Sequence, residues 1–177
     1  MTTKPLFVAT LAVMLSCAGL AHAQAGPYKV LKIQLVGGDG GFDYVTADSD
    51  GRNLYVARSG PAGHIGVFNI DTLAQVGDIP STSAHGAAVD TATGHGFATS
   101  GEDKAVIMFD VKTFKTLKRI PAAEDADAII YDRFSDRVFS LNGDAHSSTV
   151  IDSSGNLVTN IPLGGKPEYR ASAEDGK

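Results

Sequence analysis

The chain has 177 residues, 43% of them hydrophobic and 20% charged, the balance of a folded globular protein and not of an intrinsically disordered one. Fifteen Lys and Arg against 20 Asp and Glu give a net charge of −5, so phosphate backbones and anionic lipid are excluded as expected partners. Twenty Gly and no Trp, with Val, Ile, Thr and Tyr scattered throughout, point to short strands joined by tight turns.

The first element is a leader. Lys4, an uncharged and largely apolar run over residues 6–20, and Ala21-His22-Ala23 have the layout of a signal peptide cut after Ala23. The run is short for a spanning helix and contains Ser16, Cys17 and Gly19. Export to the periplasm is therefore expected, with Gln24 as mature N-terminus and no membrane span after cleavage. Cys17 is the one cysteine and leaves with the leader. The mature chain then has no disulfide, thiolate zinc ligand or thiol nucleophile.

Residues 28–36, Tyr-Lys-Val-Leu-Lys-Ile-Gln-Leu-Val, read as a lone strand. The glycine-rich stretch 37–41 lacks the Lys-Ser/Thr of a phosphate-binding loop, and no helix follows it. Phe42 also stands where a calcium-binding nonapeptide needs Asp, so a flexible connector is expected. Beyond it the chain repeats. Asp48, Asp90 and Asp132 are spaced by 42 residues, and so are Tyr55, Phe97 and Phe139. Ile79-Pro80, Ile120-Pro121 and Ile161-Pro162 recur every 41. Each unit holds four short β-rich runs separated by turns, which is the size of one β-propeller blade. The spacing predicts an all-β, partial propeller. Its blades lie at about 41–80, 84–121 and 125–162, with the start of another at 166–177. Residues 28–36 are expected to act as a closing strand.

Leu54-Tyr55-Val56-Ala57, Gly96-Phe97-Ala98-Thr99 and Val138-Phe139-Ser140-Leu141-Asn142 are degraded versions of a Tyr-Val-Thr-Asn run. Through them the mature chain resembles the exported YncE-like family of YVTN-repeat propellers. The segments Gly37-Gly38-Asp39-Gly40-Gly41-Phe42-Asp43-Tyr44 and Gly164-Gly165-Lys166-Pro167-Glu168 are similar to others in that family. The resemblance implies a seven-bladed ring, so the chain reads as a truncated product, a fragmentary gene model or a fragment. Assembly from several copies is the alternative.

The start of each blade's first strand faces the central channel. Asp43, His85 and Asp127 occupy that place, with Glu168 near the fourth. Carboxylates and an imidazole around a channel suit a cation, a polar small molecule or a metal, or simply line a wet channel. His64, His95 and His146 share no ligand spacing with His85 and read as surface-loop residues. The recurring Asp48, Asp90 and Asp132 read as acceptors for turn amides.

No catalytic residue, metal ligand or cofactor is assigned. The expected role is a periplasmic binding or scaffold propeller. Its partner is an unidentified small molecule, peptide or protein in the channel or on the top face, and nucleic acid is not expected. The rivals are a propeller enzyme of the lactonase or quinoprotein-dehydrogenase-like class, using channel acids and His, and a nonfunctional remnant.

Overall fold

Apolar residues alternating with polar ones between tight turns build three separate antiparallel meanders. The computed structural model describes residues 26–169, 171–173 and 175, so the leader lies outside the described residues. The first sheet contains β1 (Gly41–Asp48), β2 (Asn53–Ser59), β3 (His64–Asn69) and β4 (Gln75–Pro80). The second contains β5 (Ala87–Asp90), β6 (His95–Ser100), β7 (Ala105–Asp110) and β8 (Thr116–Pro121). The third contains β9 (Ala126–Asp132), β10 (Arg137–Asn142), β11 (Ser147–Asp152) and β12 (Leu157–Pro162). Within each sheet every strand pairs with its neighbour in sequence, as hairpin connections require. The recurring prolines fall at the end of β4, β8 and β12, the outer edges, where a missing N–H costs no ladder bond.

The chain divides into a short unit up to Leu35 and a second from Val36 onward. In the first, residues 26–35 are exposed and form no strand or helix, which corrects the closing strand expected at 28–36. A strand is stable only within a ladder, and the pairings of the three sheets begin at Gly41. Residues 163–169 and 171–173 likewise form no strand. In the second unit, the glycine-rich stretch is fastened to β2. Buried Arg58 donates from its guanidinium to the carbonyls of Gly37 and Asp39, at 2.5 and 2.6 Å, and stacks 4.0 Å above the Phe42 ring. The connector expected to be flexible thus carries two charge-assisted bonds.

The sheets pack face to face. Tyr55, Ile65, Val67 and Ile79 of the first meet Ala87, Ile107 and Phe109 of the second. Phe97, Val106, Met108 and Ile120 of the second meet Val138 and Ile151 of the third. The rings of Tyr55 and Phe109 lie 5.7 Å apart and tilted by 45°, a favoured aromatic arrangement. Gly96 makes room for Phe109, since a Cβ there would lie 2.1 Å from the ring's Cζ. Phe139, on the third sheet, is only partly buried.

The recurring aspartates close the first turn of each sheet. Asp48 accepts the Gly51 N–H at 2.9 Å, Asp90 those of Ala92 and Thr93 at 3.0 and 3.4 Å, and Asp132 that of Ser135 at 3.1 Å. A second acceptor series follows the third strand of each sheet, at Asn69, Asp110 and Asp152. The Thr113 N–H holds the Asp110 carboxyl below the usual carboxylate range, and that of Asn156 does the same for Asp152. Asp90 is buried and also takes the Thr93 hydroxyl at 2.6 Å. Removing it leaves two amides without an acceptor and the hydroxyl with only the Asp90 carbonyl, at 3.4 Å. Asp90→Ala should therefore lower stability by about 1–3 kcal/mol, read from denaturant midpoints at pH 7. An unchanged midpoint would mean that the turn holds itself.

Candidate functional site

The first strands β1, β5 and β9 are the elements through which neighbouring sheets approach one another, and each is broken at the same place. In β1, Phe42 pairs with Arg58 and Val45 with Val56, so Asp43 and Tyr44 together oppose Ala57. In β9, Ala126 pairs with Asn142 and Ile129 with Ser140, so Asp127 and Ala128 oppose Leu141. In the second sheet the ladder starts only at Ala87. There the N–H groups of His85 and Gly86 both donate to the Thr99 hydroxyl, at 3.1 and 3.0 Å. A bulge of this kind bends the strand and re-aims a side chain. Here it does so at Asp43-Tyr44 and Asp127-Ala128, and the unpaired His85-Gly86 stands at the same repeat position between them.

The result is a convergence. His85 Nδ1 lies 2.8 Å from Asp43 Oδ2 and 3.7 Å from Asp127 Oδ1. Side-chain exposures of 30%, 19% and 17% for Asp43, His85 and Asp127 leave the group within reach of solvent. The Tyr44 N–H donates to the His85 carbonyl at 3.0 Å and ties the first sheet to the second at this point. Ser83 Oγ sits 3.2 Å from His85 Nε2 and fixes the ring's far side. Of the four residues expected to face the channel, three come together. Glu168 does not join them: it lies in the irregular segment after β12, and its backbone carbonyl accepts the Tyr44 hydroxyl at 2.8 Å.

Burial pushes the Asp127 carboxyl above its usual range. His85 opposes this, and the negative charges of Asp43, Asp125 and Glu168 reinforce it. Burial, followed by the charges of Asp127, Asp43 and Glu168, also raises the Tyr44 phenol. Beside the three residues runs a cleft of about 350 Å³, lined by Tyr44, Gly86, Ala128, Ile129, Tyr131 and Tyr169. Its first three lining residues each follow a member of the triplet. The tyrosines give it aromatic walls, with the Tyr44 and Tyr169 rings 6.5 Å apart.

The other histidines are spent elsewhere. His64 lies against the Ala62 carbonyl and Asp78, and His95 against the Ser153 carbonyl. Ser83, Tyr44 and Thr99 were not singled out from the sequence. The signal that could have found Tyr44 is its column in the repeat, where Gly86 and Ala128 stand at the same step.

No protein-family profile and no curated protein matches the chain. Solved structures do match its fold. A structure titled Kuenenia stuttgartiensis hydrazine synthase aligns with a TM-score of 0.66 at 14% identity, over 79% of this chain and 41% of that one. A functionally unknown protein from Desulfotomaculum acetoxidans aligns at 0.67 and 16%, over 82% and 49%. The WD40 repeats of RRP9 align at 0.59 and 12%, over 71% and 40%. The fold is that of a partial β-propeller. At these identities the likeness is one of fold alone, and the chain spans less than half the length of each structure. No helix among the described residues is long and apolar enough to cross a membrane.

The position of Asp127 has a measurable consequence. A carboxyl raised in the folded state binds its proton more tightly there than in the unfolded chain. The ionised group therefore lowers stability once the pH rises above the usual carboxylate range. In ligand-free protein at pH 7, Asp127→Asn should melt at the wild-type temperature or above it. The gap should close as the pH falls towards that range. A clear loss of stability at pH 7 would show that Asp127 holds the fold.

Proposed function

We propose that the chain is an exported binding propeller of the YncE-like kind, and that it holds a positively charged ligand on the wall formed by Asp43, His85 and Asp127. The observation that carries this is the convergence of three ionisable side chains from three successive repeats, two delivered by bulges in β1 and β9 and the third by the unpaired stretch ahead of β5. The turn acceptor Asp90, by contrast, takes the amides of its own turn. These three reach across sheet boundaries and stay open to solvent. Two carboxylates against one imidazole, on a chain of net charge −5, favour a cation over an anion. The aromatic cleft alongside suits the body of a small organic ligand.

The YncE-like assignment rests on the run Leu54-Tyr55-Val56-Ala57 and its two repeats, and periplasmic location rests on the leader. Expression in a Gram-negative host should yield a periplasmic protein whose intact mass begins at Gln24. A soluble cytosolic product retaining Met1 would overturn the export reading.

Ligand sign is tested by thermal shift with benzylamine, spermidine, Zn²⁺ and Mn²⁺ against citrate and phosphate. A ligand at one hundred times its Kd stabilises by about 2.7 kcal/mol, enough for a shift of several degrees in a domain of this size. At least one cation should give a saturable shift that Asp127→Asn removes, and the anions should give none. Stabilisation by anions alone, or by no probe, would overturn the reading.

A further inference from the structure

Resting on that reading of the wall, we propose that Asp43, His85 and Asp127 form a binding site for one first-row divalent transition-metal ion, with Asp43 Oδ2, His85 Nδ1 and Asp127 Oδ1 as ligands. The three atoms all lie within 4.8 Å of one another. Donors about 2.1 Å from a shared ion stand roughly 3.4 Å apart in a tetrahedral set. The two distances from His85, 2.8 and 3.7 Å, bracket that value and no pair of the three exceeds 4.8 Å, so side-chain adjustments of about 1.5 Å or less complete the set.

Charge points the same way. Two carboxylates and a neutral imidazole carry −2, the complement of a divalent ion. Among the described residues, no Lys or Arg nitrogen lies within ion-pair distance of either carboxylate. No hydrogen-bond donor among them reaches the Asp127 carboxylate, whose near neighbour is the imidazole at 3.7 Å. The turn acceptors Asp48, Asp90 and Asp132 are all satisfied by amides. Asp127 is three-quarters or more buried with that capacity unused, and it faces the other two ligands.

The imidazole is oriented as metal ligands are. Nδ1 faces both carboxylates, 2.8 Å from Asp43 Oδ2, and an ion bound there would displace its proton and leave Nε2–H to donate to Ser83 Oγ. A group on the far ring nitrogen that fixes ring and tautomer is the usual support of a metal-bound histidine. The backbone beneath is fixed as well, since Thr99 takes both amides at His85 and Gly86. The donor set of one nitrogen and two carboxylates favours Zn²⁺ or Mn²⁺ over Ca²⁺ and Mg²⁺, which prefer oxygen throughout. Three protein ligands leave at least one coordination position open.

The test is calorimetric titration of the chelator-stripped chain with ZnCl₂, with elemental analysis for stoichiometry. One Zn²⁺ per chain is expected. Asp43→Asn and Asp127→Asn should each weaken binding tenfold or more, and Ca²⁺ and Mg²⁺ should bind at least a hundredfold more weakly. Absent stoichiometric binding, or equal binding by both Asn variants with native circular dichroism, overturns the assignment. If a variant loses its β spectrum, Co²⁺ added to the wild-type chain decides instead. An intense visible absorption of a low-coordinate site supports the proposal, and the hydrated-ion spectrum alone overturns it. If benzylamine or spermidine stabilises the wild type through Asp127 while Zn²⁺ does not bind, the metal assignment fails and the cation wall stands. If no cation binds, both fail.

Discussion

A four-stranded meander has two faces and no helix to cover either, so each sheet in this chain depends on the next one for its core. The equivalent isoleucines of the outer strands measure this directly. Ile79 is 0% exposed under the second sheet and Ile120 is 1% exposed under the third, whereas Ile161 is 41% exposed. The three share residue type, strand and repeat position. They differ in whether another sheet lies over them among the described residues. Burying one such side chain is worth roughly 1.5–3 kcal/mol, so sheet-on-sheet contact, and not strand pairing alone, supplies the stability. The aromatics follow the same rule, with Tyr55 and Phe97 enclosed and Phe139 only partly so.

That packing also creates the site. Stacking brings the first strands of consecutive sheets together, because the strands diverge outward from there. A residue at one repeat position is thereby placed beside its counterparts from the neighbouring sheets. Regular strands would alternate these side chains between faces; the bulges at Asp43-Tyr44 and Asp127-Ala128, and the Thr99 hydroxyl that takes the His85 and Gly86 amides, redirect them. The two sets of aspartates separate on this basis. Those at the turns gain amide bonds and support the fold, with the Ser135 hydroxyl holding the Asp132 carboxyl low. Asp127 is raised by burial and by like charges, so its ionised form costs stability. A side chain kept where it opposes folding is a candidate for function.

Arg58 shows a different use of charge. It is buried in a strand that is otherwise apolar at its centre, and its guanidinium binds two carbonyls of the glycine-rich stretch. Its counterparts in the repeat are Ser100 and Asn142, each buried and polar. Ser100 bonds to the Thr82 carbonyl, and Asn142 to Ser147 and Thr149, so this column is the polar end of the second strand in every sheet. The residue type changes with what each must reach: the connector ahead of the sheet for Arg58 and Ser100, the neighbouring strand for Asn142.

Much of the architecture was legible in the residues themselves. A fixed period in Asp48, Tyr55, Ile79 and their counterparts is visible without coordinates, because each unit meets the same packing problem and solves it with the same residue types. The roles of the turn aspartates followed from local chemistry for the same reason: the acceptor and its amides lie within three residues. Residues 28–36 were misread as a strand because β-propensity describes a segment, while a ladder needs a partner that no local pattern specifies. The column Asp43, His85, Asp127 could be picked out by spacing. That the three meet, that Glu168 stays apart, and that Ser83 and Thr99 support the meeting were decided by bulges and by contacts between sheets. The contact that joins His85 to Asp43 spans 42 positions, and the energy that selects it arises only when the sheets are stacked.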